Sequence, residues 1–189
     1  MQTRATLEIR NFNKHIEYAP VQRDTSRNSN HGFRNIKGLP ESALLIPELE
    51  HNEVLKNAVL ALNQRDTPFF TMGCDQSLNA ENGLHWMRGF IEVAFNHRDL
   101  LSDAQNYFKL FFDFNFSVFE KKIDLPVTFS WQLEGAILGE LKGFSAAIWI
   151  TTDDMKDGPT AQRVWETSVQ FLTQYLMTVP SWKESQEIY

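Results

Sequence analysis

Cys74, Asp75 and His85 are the residues whose types and spacing could do chemistry. A thiol beside an imidazole becomes a nucleophile at neutral pH. These three flank QSLNAENG, residues 76–83, whose Ser, Asn and Gly content reads as the loop of a hairpin. A loop there would let Cys74 and His85 face each other, so they are the candidate catalytic pair. The opposing expectation is that a lone cysteine after PFFTMG is a small buried hydrophobe.

Other motifs are weaker. HRDL, residues 97–100, has the first letters of a kinase catalytic loop, but that loop also needs an asparagine to hold magnesium, and Ala104 stands at its place. No phosphate-covering glycine loop precedes it. Asp99 therefore reads as a loop or helix-start carboxylate that accepts backbone N–H bonds. GFSAA, residues 143–147, falls one residue short of a hydrolase elbow, and Ser145 reads as a solvated strand serine. His15, His31, His51, His85 and His97 lack metal-ligand spacing, so neither a metal site nor a cofactor is expected. Asp153 with Asp154, and Glu134 with Glu140, lie in expected turns.

The elements that must position these residues can be read from periodicity. Ala5–Phe12 alternates enough for one short strand, and 15–40 reads as irregular. Glu50–Gln64 repeats apolar residues at helical spacing through Val54, Leu55, Ala58, Val59 and Leu62. Two strands follow around the QSLNAENG loop. From Asp99 to Ile123 an aromatic stripe gives a second helix, in which core packing is expected. Val127, Phe129, Trp131 and Leu133 alternate with Thr128, Ser130, Gln132 and Glu134, the pattern of a strand buried on one face only. FSAAIWITT, residues 144–152, returns antiparallel to it, and Asp157-Gly158-Pro159 starts a last helix.

Gly89, Phe90, Asp99 and Asp103 match Gly143, Phe144, Asp153 and Asp157 at an offset of 54, which suggests an internal ββα duplication. The expected fold is α+β: an antiparallel sheet of at least four strands, built from two β-hairpins, with about three helices packed on one face.

The chain has 189 residues and a net charge of −6, and charge divides it. Residues 1–40 hold seven Lys/Arg against three acids and so carry +4, which leaves −10 for the remainder. We therefore expect a basic, mostly irregular arm over 1–40 and a single acidic α+β domain over 41–189. An acidic body repels nucleic acid and attracts basic surfaces, so nucleic-acid binding would rest on the arm alone. No apolar run is long enough to cross a membrane, and the start lacks the apolar centre of a secretory signal, so the expected location is cytoplasmic. The single cysteine excludes an internal disulfide.

Together these readings favour a non-catalytic protein-interaction module with an acidic surface, such as an immunity-type inhibitor of a basic protein. Asp75, Trp86, Gln132, Glu134 and Trp182 are its candidate binding residues, with Tyr189 beside Trp182 in the tail. The alternative is a small enzyme or ligand-binding domain with its site near Cys74 and His85.

Overall fold

The computed structural model describes residues 3–20, 31–181 and 187–189. Trp182 lies outside the described residues. Five strands form one sheet in the order β1-β4-β5-β3-β2: β1 Arg4–His15, β2 Phe69–Glu81, β3 Leu84–Phe95, β4 Val127–Leu138 and β5 Leu141–Thr152. Among the described residues four α-helices accompany them: α1 Glu53–Leu62, α2 Arg98–Ser102, α3 Ala104–Glu120 and α4 Gly158–Leu176. Two 3₁₀ turns, Pro40–Leu45 and Pro47–Leu49, lead into α1. No helix among the described residues is long and apolar enough to cross a membrane.

The α+β class and the ββα, ββα order match the expectation from sequence, but the sheet is mixed. β1 runs parallel to β4, from Arg4 opposite Thr128 to His15 opposite Ile137. A strand joined to its neighbour by more than a hundred residues owes nothing to a local turn, so its direction has no local signal. Arg4–His15, within the stretch expected to be a mostly irregular arm, belong to the same sheet as the strands of the acidic body.

The first hairpin differs too. QSLNAENG is mostly strand, and the chain reverses only at Asn82–Gly83, where φ is 52° and 78°. Both residues take the left-handed conformation that a two-residue hairpin turn requires, and Asn-Gly supplies it at least cost. The second hairpin reverses at Gly139 and Glu140, three residues later than a 54-residue offset from the first would place it.

Helices pack on one face of the sheet. Leu55, Val59 and Leu62 of α1, Tyr107, Phe111 and Phe114 of α3, and Trp165, Val169 and Leu172 of α4 bury their side chains there. They meet the odd-numbered residues of β4 and the even-numbered Ile148 and Ile150 of β5, as period-2 alternation requires. Phe114 sits 4.9 Å from Phe129 and 5.2 Å from Tyr175, edge to face. The expected single helix from Asp99 breaks at Asp103, whose extended backbone ends α2 and whose carboxylate caps α3 by accepting from the Gln105 N–H. Asp157 caps α4 in the same way through the Thr160 N–H. Asp99 lies exposed in the first turn of α2, whereas Asp153 accepts from Arg4 rather than from backbone.

Candidate binding surface

α1, α3 and α4 leave the opposite sheet face open around Phe90 and Trp149, and strand alternation decides what it shows. Register and period 2 place Asp75 of β2, Trp86, Arg88 and Phe90 of β3, Trp149 of β5, and Gln132 and Glu134 of β4 on it. Four of the residues singled out from sequence, Asp75, Trp86, Gln132 and Glu134, thus share one face. At its centre the Phe90 and Trp149 rings lie 4.6 Å apart, and the Arg88 guanidinium sits 4.4 Å above the Trp149 ring. The Trp149 indole N–H donates to Gln132 Oε1 at 2.8 Å, and Gln132 Nε2 donates to Glu8. These groups are half-buried or exposed. Phe90, Arg88 and Trp149 were not singled out from sequence, although Ile148 and Ile150 on the helix face already force Trp149 to the other side.

The basic residues of β1 spend their charge on this face. Arg4 pairs with Asp153 at 2.5 Å, Arg10 approaches Glu134 at 3.4 Å, and Lys14 pairs with Glu92 at 2.5 Å. Glu92 also accepts from Ser145 Oγ, so Ser145 is a fully buried partner of a carboxylate rather than a solvated serine. Burial works against the Lys14 ammonium, but the adjacent Glu92 carboxylate outweighs it and holds the lysine above its usual value. The arm is therefore in part neutralised by its own body. Further carboxylates gather toward the hairpin turn, where Glu81, Trp86, Thr151, Asp153 and Asp154 line a concavity of about 580 Å³. Arg4 forms part of its wall.

The far end of the same face is covered. Phe33 and Tyr189 pack on Phe70, and Ile16 donates its N–H to Ile137. Beside this cover lies a cavity of about 280 Å³ lined by Lys14, Tyr18, Glu48, Cys74, Asp75 and Phe90, among others. Burial raises the Asp75 carboxyl, opposed by the Gln76 N–H and assisted by Glu48.

Cys74 and His85 are not brought together. Cys74 pairs with Ile91 and His85 with Ala80. Six residues of one extended strand separate their positions, roughly 20 Å at about 3.3 Å per residue. The loop that was to bring them face to face is strand. Burial also pushes the Cys74 thiol up to about 12, with Glu48 and Asp75 adding to the effect, so it is a protonated thiol at neutral pH. His85 instead exchanges backbone hydrogen bonds with Met155. Among the described residues no three His, Cys, Asp or Glu side chains converge as metal ligands would. Comparison of the chain with protein-family models, with curated proteins and with solved structures finds no match.

Proposed function

We propose that this protein is a non-catalytic interaction module that binds a basic protein through the uncovered sheet face, in the manner of an immunity-type inhibitor. The observation that carries the reading is the concavity at the hairpin end, where Trp86 stands among Glu81, Asp153 and Asp154. An aromatic face ringed by carboxylates suits a lysine or arginine side chain, by cation–π contact together with charge pairing. Arg4, an internal cation paired with Asp153 at its wall, supports that preference. The Phe90–Trp149 pair beside it offers the aromatic surface that binding hot spots favour.

The test is capture by the tagged protein from its native lysate at low and high salt, with Trp86→Ala and Asp154→Lys run in parallel. A stoichiometric basic protein, released by salt and lost from both variants, is the expected outcome, since steering by charge is screened by ions. Equal capture by wild type and variants would remove this face from the reading.

The ligand-binding alternative rests on the 280 Å³ cavity next to Cys74 and Asp75, used for binding rather than for thiolate chemistry. It gains if Asp75→Ala, and not Trp86→Ala, abolishes retention of a small molecule that copurifies with the protein.

A further inference from the structure

We propose that the cavity between β2 and residues 31–48 binds a free α-amino acid with an apolar side chain. This gives the ligand-binding alternative, on which it rests, a ligand class, and the site is separate from the carboxylate concavity around Trp86.

The cavity follows from a defect in β2, the terminal strand on the β3 side of the sheet. The register of β2 against β3 shifts between Thr71 and Gly73, so the strand bulges at Met72 and its alternation is interrupted there. Tyr18 fastens the end of the β1 chain to the bulge by donating its hydroxyl to the Met72 carbonyl at 3.1 Å. The Phe33 N–H in turn donates to the Tyr18 carbonyl at 3.0 Å, which holds the 31–34 segment beside it. Gly73 adds no side chain to the opening, whose volume is about 280 Å³. Ligand pockets commonly hold roughly 300–1,000 Å³, so this one is of a size for a single amino acid and too small for a nucleotide or a peptide.

Charge narrows the ligand further. Lys14, His31, Arg34, Glu48 and Asp75 all line the cavity. Lys14 is matched by Glu92 at 2.5 Å, and His31 Nδ1 lies 2.7 Å from Glu48 Oε1. Arg34 and Asp75 form no ion pair with each other or with another described residue. The hydrogen bond that Asp75 accepts among the described residues comes from the N–H of Gln76, next in the chain. One unmatched cation and one unmatched carboxylate at a single opening complement a ligand that carries both charges. The ligand carboxylate takes the planar guanidinium fork of Arg34, and the ligand ammonium takes Asp75. Below these charged groups the lining is apolar: Met72 and Val59 are buried, and Tyr18, Ile46 and Phe90 are half-buried. Such walls favour an aliphatic or thioether side chain, which gains by leaving water.

The experiment is isothermal titration calorimetry of the full chain, exhaustively dialysed, with L-leucine and L-methionine. Isoamylamine, which is leucine without its carboxylate, and 4-methylpentanoate, which lacks the ammonium, are titrated in parallel. At least one of the amino acids is expected to bind one to one with a Kd below about 1 mM, and both truncated compounds at least ten-fold more weakly. Arg34→Gln and Asp75→Asn, with circular dichroism as the control for folding, are each expected to weaken amino-acid binding at least ten-fold. Binding of isoamylamine or 4-methylpentanoate as tightly as leucine, lost on substitution of only one of the two residues, would overturn the amino-acid class and keep the cavity as a ligand site. Silence from both amino acids, or binding indifferent to both substitutions in folded protein, would overturn the proposal. The ligand-binding reading itself would then stand or fall on whether a small molecule copurifies with wild type and not with Asp75→Ala.

Discussion

Lys37 shows what one residue can do that no spacing announces. It falls within 15–40, a span read as irregular, yet its ammonium is buried and donates to the carbonyls of Gln64, Thr67 and Phe69 and to the Thr67 hydroxyl at 2.6–2.8 Å. It ties the chain leaving α1 to the start of β2. Burial lowers the lysine to about 8, opposed by the charges of Glu187 and Asp66. Lys37→Met keeps the volume and leaves these acceptors without their donor, so we expect a loss of about 2–3 kcal/mol in urea unfolding at pH 7. The pH dependence has a definite sign. Between about 8 and the unfolded value of 10.5 the unfolded chain holds a proton that the folded lysine has released, so wild-type stability rises through that window relative to a variant with no proton there. The deficit of Lys37→Met should therefore widen from pH 8 to pH 10, and a constant deficit would mean that the buried amine keeps its ordinary affinity for protons. Cys74 and His85 teach the converse lesson. Their types suggested chemistry, but one strand holds them apart, and burial rather than an imidazole sets the thiol.

Elements were legible where a local rule determines them and illegible where a distant partner does. The helical repeat of α1, the alternation of β4 and the Asp157-Gly158-Pro159 start of α4 all stand in the structure. The Asn82–Gly83 turn was legible too, but Ser77 and Asn79 drew attention to a longer loop. Those polar residues occupy a strand whose uncovered face lets water reach them. The contact between α4 and β3 had no sequence signature beyond a glycine. Gly89 lies on the helix face, where a Cβ would come within 2.5 Å of both the Asp75 carbonyl and the Trp165 ring. That ring is fixed by the bond from its N–H to the Ile150 carbonyl at 3.0 Å, so it cannot move aside cheaply. Gly89→Ala should cost about 2–3 kcal/mol, the scale of core overpacking, measured as a fall in the urea midpoint. A variant as stable as wild type would show that α4 can shift along the sheet.

At the scale of the whole molecule, the charge split between residues 1–40 and the rest is real in the sequence but is not a boundary in the fold. Backbone pairing of β1 with β4 joins the two, and Arg4, Arg10 and Lys14 each meet a carboxylate of the body. Gln132 and Glu134 were legible on the uncovered face because alternation fixes a side chain's face whatever the strand order, whereas Asp75 and Trp86 were picked beside an expected loop that is strand. The edge position of β1 was not legible, since strand order depends on contacts across the whole chain. Deletion separates an appended arm from an integral strand. Removing residues 1–40 takes away β1 from the side of β4, the buried side chains of Ile16 and Ile36, and the Lys37 bonds. It also bares the β4 edge, a template for aggregation. An appended arm would leave a soluble body that unfolds cooperatively at the wild-type urea midpoint. The sheet topology instead requires the truncated chain to aggregate or to lose its cooperative transition, whereas Arg4→Gln with Arg10→Gln, which removes charge and keeps the strand, should lower the unfolding free energy from urea titration by no more than about 1 kcal/mol, as befits exposed ion pairs.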